Sequence, residues 1–147
     1  MNVHNSIAEL AANVALPFEQ ARAMPKSVYT SRAFLDAEMA KVFGREWYCA
    51  GRASSLKDAG DYIAFELAGQ PLMVIRGKDG EVRCQSNVCL HRMSTLLEGR
   101  GNARLITCPY HGWTYEADGT LRAAPAMKAN EGFCKEHYRL PQVKCEV

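Results

Sequence analysis

The stretch CLHRMSTLLEGRGNARLITCPYHGW, residues 89–113, decides the fold of this chain because it contains two short pairs of metal-binding side chains. Cys89 and His91 form the first pair, and Cys108 and His111 form the second. The 147 residues include only four histidines, and two of them lie here, each beside a cysteine. The spacing C-x-H-x16-C-x2-H therefore predicts a metal site that takes one thiolate and one imidazole from each of two segments.

Four chemistries use cysteine and histidine in comparable patterns. A plant-type ferredoxin cluster needs Cys-x4-Cys-x2-Cys, and although Cys84 and Cys89 satisfy the first step, the next position is Arg92. A catalytic Cys-His dyad needs one residue of each kind and leaves the duplication unexplained. Structural zinc accepts two cysteines and two histidines, but its usual spacing places the two cysteines near each other and the two histidines near each other. The interleaved order is typical of a Rieske 2Fe-2S centre, in which two histidines replace two cysteines on one iron, and a zinc-binding structural module is the alternative.

The residues around the two pairs predict a mainly β fold. Short runs rich in β-branched and aromatic residues are bounded by Gly, Asp and Pro, which is typical of strands. Asp79-Gly80 and Asp118-Gly119 each stand between two such runs and predict hairpins, so the sheet should be antiparallel. Both ligand pairs then fall on loops that converge at one end of the β domain. The predicted strand runs include EWYCAGRA (46–53), DYIAFELA (61–68), PLMVIRG (71–77), EVRCQSNV (81–88), ARLIT (103–107), WTYEA (113–117) and TLRAA (120–124), and LPQVKCEV (140–147) resembles a strand cut short.

The segment before the β region divides into two parts. Residues 1–27 are Ala-rich, contain prolines at 17 and 25 and show no sustained period, so they predict an N-terminal arm. Ser31 can cap a helix and Gly44 can end it, which predicts a helix from about 32 to 43. We therefore expect an arm over 1–27 and a single domain over 28–147. The apolar residues at helical spacing are Phe34, Leu35, Met39, Val42 and Phe43.

Composition narrows the class of protein. The net charge is +2 with acidic and basic residues mixed along the chain, so no nucleic-acid or anionic-membrane partner is expected. The apolar stretches are broken within about ten residues, well short of the ~20 that span a bilayer, and the N-terminus lacks the features of an export signal. The six cysteines are accordingly expected to be reduced or metal-bound, in a cytoplasmic protein.

At the ligand pairs the resemblance to a known family becomes specific. NVCLHR followed by TCPYHGWTYEADGTL resembles the Rieske domain of Rieske non-haem iron oxygenase α-subunits, the terminal components of ring-hydroxylating and alkylammonium oxygenases. The upstream stretches FLDAEMAKVFGREWYCAGR and GDYIAFELAGQPLMVIRGKDGEV resemble the same subunits, so the likeness covers roughly residues 28–147. The stretch LPFEQARAMPKSVYTSRAF is more similar to the choline and betaine branch than to the aromatic dioxygenases. One departure is Met93, where many members have glycine.

The resemblance implies an antiparallel Rieske-type β-sandwich with a short helix before it and hairpin loops that bind the cluster. It implies that Cys89 and Cys108 bind one iron and that His91 and His111 bind the other. In the whole subunit, a reductase or ferredoxin would supply electrons, and a mononuclear Fe(II) in a catalytic domain would hydroxylate an organic substrate within a homotrimer. That iron needs two histidines and a carboxylate. Only His4 and His137 remain here, so we expect no catalytic residues and no catalytic domain in this chain; a stand-alone Rieske ferredoxin is the alternative.

The residues around the ligands also predict a low reduction potential. Respiratory-chain Rieske proteins have two disulfide-forming cysteines and a serine at the positions of Ser94, Tyr110 and Trp113. Without that serine, fewer hydrogen bonds reach cluster sulfur, which leaves the reduced cluster less stabilised. The tyrosine that bonds to cluster sulfur in those proteins corresponds to Tyr115. We expect a potential near the low end of the Rieske range.

Overall fold

In the computed structural model, residues 3–127 and 129–147 are described, and they form two compact units. The first unit ends at Tyr48 and the second begins at Cys49. In the described residues, no helix has the length and apolar character needed to cross a bilayer. The division of the sequence into an arm over 1–27 and a domain over 28–147 stays a prediction.

The first unit is helical. Helix α1 spans Val3–Val14, a short 3-10 turn spans Phe18–Gln20, and α2 spans Lys26–Thr30. The sequence shows no sustained apolar period here, and the helices therefore differ from what the pattern indicated. Alanine has the highest intrinsic helix propensity, which can stabilise a helix without an apolar stripe. The Ser27 hydroxyl donates to the Glu9 carboxylate at 3.4 Å and so links α2 to α1.

The helix predicted from about 32 to 43 is confirmed. Helix α3 spans Arg32–Glu38, and it continues into a wider π-helical turn over Met39–Phe43. The Ser31 side chain caps α3 by accepting a hydrogen bond from the Phe34 N–H at 3.3 Å. The chain leaves this helical segment at Gly44, as predicted.

The second unit is built from antiparallel strands in two sheets. The strands are β1 (Asp61–Leu67), β2 (Gln70–Arg76), β3 (Val82–Ser86), β4 (Arg100–Asn102), β5 (Ile106–Thr107), β6 (Thr114–Tyr115), β7 (Leu121–Ala123) and β8 (Gln142–Val143). One sheet has five strands in the order β4-β1-β2-β3-β8, and the other has three in the order β5-β6-β7. Most of the predicted strand runs are confirmed, and both predicted hairpins form, between β2 and β3 and between β6 and β7.

The prediction of a strand over EWYCAGRA (46–53) is wrong. The run has β-favouring residues, but none of them belongs to a strand. Trp47 is 65% exposed and Tyr48 is also exposed, so the aromatic side chains that suggested a strand do not cover a sheet face. β-propensity describes how a side chain fits a pleated, half-buried surface, and it does not form a strand where no neighbouring strand pairs with it.

Strand β2 is buried on both faces, and this places the core. Leu72 and Val74 point to a cluster that includes Ile63 of β1, while Met73 and Ile75 point to the opposite face. That opposite face packs against the three-stranded sheet, which gives the predicted sandwich. The larger core cluster joins both sheets to the two ligand loops, and its other buried members are Cys89, Leu96, Ile106, Cys108, Trp113, Tyr115, Ala117, Leu121 and Leu140.

The two Asp-Gly turns have the same backbone conformation but different surroundings. Gly80 has a φ of 84° and Gly119 a φ of 89°, both in the left-handed region that favours glycine. At the first turn, hydrogen bonds from Arg83 hold the pKa of the Asp79 carboxyl at about 2. At the second, Asp118 accepts hydrogen bonds from both the backbone N–H and the hydroxyl of Thr120.

This pair of turns gives a matched test of the packing. In Gly119→Ala, the new Cβ would lie 2.6 Å from the buried Gln85 Oε1 and 2.8 Å from Gln142 Nε2, and would disturb the hydrogen bond between those side chains. In Gly80→Ala, nothing lies within 4 Å of the new Cβ, so only the left-handed backbone strain remains. We expect the free energy of unfolding in urea to fall by about 1 kcal/mol for Gly80→Ala and by about 2–4 kcal/mol for Gly119→Ala. Equal losses would contradict this account of the second turn.

Candidate metal centre

The first ligand pair lies in a tight loop that follows β3. Val88 and Thr95 form an isolated antiparallel bridge that closes the loop. Inside it, the Cys89 N–H donates to the Ser94 carbonyl at 2.8 Å, and the Cys89 carbonyl accepts from the Met93 N–H at 3.0 Å. The loop backbone is therefore fixed by its own hydrogen bonds.

The second ligand pair lies in the loop between β5 and β6. Thr107 and Thr114 pair at its base. The Cys108 N–H donates to the Trp113 carbonyl at 2.8 Å, and the Cys108 carbonyl accepts from the Gly112 N–H at 3.1 Å. The bonding pattern repeats that of the first loop, because each cysteine bonds to residues four and five positions ahead.

The shared hydrogen-bond pattern shows which backbone conformation Met93 has to adopt. In both loops the residue four positions after the cysteine has a left-handed backbone: φ is 56° at Met93 and 71° at Gly112. Glycine adopts this conformation without a Cβ clash, whereas methionine does not. The resemblance to the Rieske oxygenases implies glycine at the first position. This chain therefore keeps the turn with a residue that fits the left-handed backbone less well.

The two loops bring the four predicted ligands together, with sulfur inside and imidazole outside. Cys89 and Cys108 are 1% and 3% exposed, and their thiols lie within hydrogen-bonding reach of each other. The imidazole rings of His91 and His111 lie edge to face, with centroids 4.8 Å apart. His91 is partly buried and His111 is exposed, so the imidazole side of the site faces solvent.

Backbone donors surround the buried sulfur. Burial acts to raise the pKa of the Cys108 thiol, but hydrogen bonds from the N–H groups of Tyr110 and His111 and from the Cys89 and Ser94 side chains lower it overall. A thiol under these influences gives up its proton readily, and a metal ligand must be deprotonated. At His91, burial and the nearby His111 lower the pKa, which favours the neutral imidazole that binds metals.

Tyr115 connects β6 to the first loop. Its hydroxyl lies 3.4 Å from Cys89 Sγ and accepts a hydrogen bond from the Leu90 N–H at 3.0 Å. The ring is fully buried, and burial raises the pKa of its hydroxyl, which therefore stays protonated and can donate to sulfur. The hydroxyl thus contacts the sulfur of a candidate ligand, and its contact with cluster sulfur stays a prediction.

Aromatic rings cover one side of the imidazole pair. The Trp113 ring stacks on the His91 ring with centroids 5.0 Å apart and planes 7° apart. The Tyr110 ring lies 3.8 Å from the His111 ring, tilted by 32°. The Trp113 Nε1–H is buried, and no hydrogen-bond partner for it occurs in the described part of the chain.

Asn87 is a positioning residue that the sequence did not reveal. Its buried side chain donates to the Leu97 carbonyl at 2.8 Å and accepts from the Leu97 N–H at 2.9 Å. Its own carbonyl accepts from the Leu96 N–H at 3.0 Å. These bonds clamp the strand before the first ligand loop to the chain after it. The position of Asn87 in the sequence relative to the candidate ligands follows no known motif spacing, so its role can be identified only from the structure.

The histidines left over by the pattern lie outside the two ligand loops. His4 lies in α1 of the first unit, and His137 is exposed in a 3-10 turn of the second. Among residues 3–127 and 129–147, no three His, Cys, Asp or Glu side chains converge on one ion position. A two-iron cluster does not require such a point, because each iron takes two protein ligands. The donor set consists of two buried thiols and two near-surface imidazoles, with N–H donors at the Cys108 sulfur and the Tyr115 hydroxyl at the Cys89 sulfur, and it fits that cluster.

Comparison with known proteins agrees with this geometry. Residues 46–144 match the family described as Rieske [2Fe-2S] domain. The chain belongs to this family. The predicted 2Fe-2S cofactor is confirmed as the cofactor of the domain, and the mainly antiparallel Rieske fold is confirmed with it.

Similar proteins that share the Rieske domain are subunits of oxygenases. A carnitine monooxygenase oxygenase subunit from Acinetobacter baumannii is 40% identical over 123 residues, which is 83% of this chain and 33% of that protein. The biphenyl 2,3-dioxygenase subunit alpha of Rhodococcus jostii is 36% identical over 82% of this chain and 26% of its own length. A crystal structure of the apo quaternary ammonium Rieske monooxygenase CntA has a TM-score of 0.77 and 39% identity, over 86% of this chain and 37% of the other. This Rieske chain therefore spans about a third of the length of the relatives it matches.

Replacing Tyr115 by Phe tests the role of its hydroxyl. The change leaves the Leu90 N–H without its acceptor and removes a donor beside Cys89 Sγ, so we expect a loss of about 1 kcal/mol in stability and a lower reduction potential. Thermal unfolding and redox titration of the cluster-loaded chain measure the two effects. Tyr62→Phe is the control, because the Tyr62 hydroxyl donates to the exposed Glu98 carbonyl at 3.2 Å. An unchanged or raised potential in Tyr115→Phe would contradict the prediction.

Proposed function

We propose that this Rieske domain transfers electrons within the terminal component of an oxygenase. The observation that carries the proposal is the convergence of two buried cysteine thiols and two near-surface imidazoles on paired loops. Oxygenase subunits among the similar proteins support the oxygenase context. When bound, the cluster accepts and releases one electron at a time. The catalytic role of the chain is then to hold the cluster, not to touch the substrate.

Each ligand has a defined role in this proposal. Cys89 and Cys108 would bind one iron as thiolates, because they are buried and N–H groups already point at the Cys108 sulfur. His91 and His111 would bind the other iron, on the side of the site that faces solvent. Tyr115 holds the first loop and donates to the Cys89 sulfur. This division leaves the imidazole edge as the place where electrons enter and leave.

The rest of the oxygenase follows from the same proposal. In the whole oxygenase, a reductase or ferredoxin would supply the electrons, and a mononuclear non-haem iron of a catalytic domain would use them to hydroxylate an organic substrate. A similar structure is described as revealing inter-subunit electron transfer, which supports an oligomer in which one subunit serves its neighbour. We propose that this oligomer is a homotrimer. We place this oxygenase in the cytoplasm. The domain division proposed for this chain is an N-terminal arm over 1–27 and a Rieske domain with its preceding helix over 28–147.

The oxygenase subunit is favoured over the stand-alone ferredoxin by the extent of the match. The similarity to the carnitine monooxygenase subunit covers 123 residues, which is longer than the Rieske family region at 46–144. The helical segment before the β domain is thus partly included in the likeness. A ferredoxin that consisted of the cluster domain alone would have no need of that segment.

Cluster content tests the proposed ligands. The purified chain, made with ample iron, is expected to contain two irons and two acid-labile sulfides. His111→Ala should lose the cluster colour, because an iron ligand is removed that water replaces poorly. His137→Ala, which changes an exposed histidine outside the loops, should keep it. Stoichiometric zinc in the purified chain, or full iron content in His111→Ala, would refute the proposal.

The potential separates an oxygenase-type cluster from a respiratory one. All six cysteines are free, and Trp113 offers no hydroxyl, so the extra disulfide and serine of respiratory Rieske proteins are absent here. We expect a midpoint near the low end of the Rieske range, at about −150 mV. Protein-film voltammetry at neutral pH measures it. A midpoint of about +200 mV or more would be incompatible with the oxygenase assignment.

A further inference from the structure

We propose that Trp113 is a positioning residue that fixes the ring plane of His91 and thereby helps to set the potential of the cluster. The inference rests on the proposed electron-transfer function. The Trp113 indole stacks on the His91 imidazole, with ring planes only 7° apart and centroids 5.0 Å apart. A ring packed in this way resists rotation of the imidazole about its side-chain bond, because rotation would drive the imidazole into the indole.

The indole is itself held in place by other rings. The edges of Phe133 and Tyr138 meet Trp113 at 5.6 and 5.7 Å, with interplanar angles of 63° and 87°. Trp113 is 3% exposed and belongs to the core cluster that contains both ligand cysteines. The orientation of His91 is therefore tied to the packed core and not only to its own loop.

Hydrogen bonding does not explain the position of Trp113. Its Nε1–H is buried, and the described residues offer it no acceptor. Among the described residues, the contacts that orient the side chain are those of its rings with His91, Phe133 and Tyr138. A phenyl ring at this position should then do most of what the indole does.

Two physical effects give the direction of the change in potential. The face of the indole is electron-rich and favours the more positive imidazole of the oxidised site. The indole also keeps water from one face of His91, and water would favour the reduced site, which carries more negative charge. Both effects lower the potential. Removing the stack should therefore raise it.

The experiment uses the cluster-loaded chain and three substitutions at one position. Trp113→Phe keeps an aromatic ring, while Trp113→Leu and Trp113→Met remove it. The methionine side chain is flexible and fills more of the vacated space than leucine does. Tyr138→Leu is the matched control, because it removes a ring of the same core that touches Trp113. Among the described residues, the ring contacts of His91 are with Trp113 and His111. Iron and sulfide content, the electron paramagnetic resonance spectrum of the reduced cluster and its midpoint potential are measured for each.

We expect Trp113→Leu and Trp113→Met to change the g-values and to raise the midpoint potential. At a fixed donor potential, the ratio of reduced to oxidised cluster should rise at least about twofold. This is the smallest change that the energy of an aromatic pair implies. Trp113→Phe should stay close to the parent chain. Tyr138→Leu leaves Phe133 against Trp113 and the stack on His91 in place, so it should shift the spectrum and midpoint less than Trp113→Leu and Trp113→Met do. The inference is overturned if the loaded Leu and Met variants keep the parent spectrum and midpoint, or if Tyr138→Leu shifts them as far.

Loss of the cluster is also informative. If the Leu and Met variants fail to retain iron, retention by Tyr138→Leu supports the specific role of the stack, and loss from Tyr138→Leu as well overturns it in favour of general core packing. Absence of two irons and two sulfides from the parent chain would instead refute the proposed function. The two failures are therefore distinguishable.

Discussion

The structure depends on one backbone arrangement, in which each ligand cysteine closes a turn through its own N–H and carbonyl groups. The Cys89 N–H bonds to the Ser94 carbonyl, and the Cys108 N–H bonds to the Trp113 carbonyl, both at 2.8 Å. Buried backbone groups need partners, and these bonds supply them while each sulfur points inward. Because Cys89 and Cys108 belong to the core that joins the two sheets, the site is part of the packing of the sandwich and not an addition to its surface.

The site is polarised by burial. Its thiols are inside, where N–H groups and the Tyr115 hydroxyl approach sulfur, and its imidazoles are near solvent. Hydrogen bonds to sulfur and access of water are the two main means by which a protein tunes such a cluster. The loops supply the first, and the rings of Trp113 and Tyr110 limit the second. Binding the cluster and setting its potential are thus done by the same short segments.

The sequence predicted the parts of the fold whose signals are local. The capped helix at Ser31 and the two Asp-Gly hairpins depend on residues close in the chain, and they are present. Strand β4 (Arg100–Asn102) was missed because RGN has no β-favouring residue; it forms by pairing with β1 (Asp61–Leu67), about forty positions earlier. The run EWYCAGRA failed for the opposite reason, since its β-propensity meets no partner strand. Propensity alone decides neither case.

In the candidate site too, features that depend on local spacing could be predicted, and contacts between distant segments could not. The convergence of the four candidate ligands could be predicted because each pair is spaced within one turn, and their binding of the cluster stays a prediction. The Asn87 clamp and the stack of Trp113 on His91 depend on contacts that spacing does not encode. Asn87 reaches a chain segment ten residues away, and the rings that hold Trp113 come from a still later segment. Neither asparagine nor tryptophan is rare in β domains, so the composition does not indicate these roles.

Met93 shows how strongly the turn itself is required. A left-handed backbone costs a non-glycine residue about 1–2 kcal/mol, and at 71% exposure the methionine side chain regains little of this by burial. The turn is nevertheless kept, closed by the Cys89–Ser94 and Met93–Cys89 hydrogen bonds and by the bridge between Val88 and Thr95. Strained conformations persist where the surrounding structure determines them. The closure of the loop around the cysteine therefore outweighs the preference of the residue at its turn, which is why a departure from glycine leaves the ligand geometry intact.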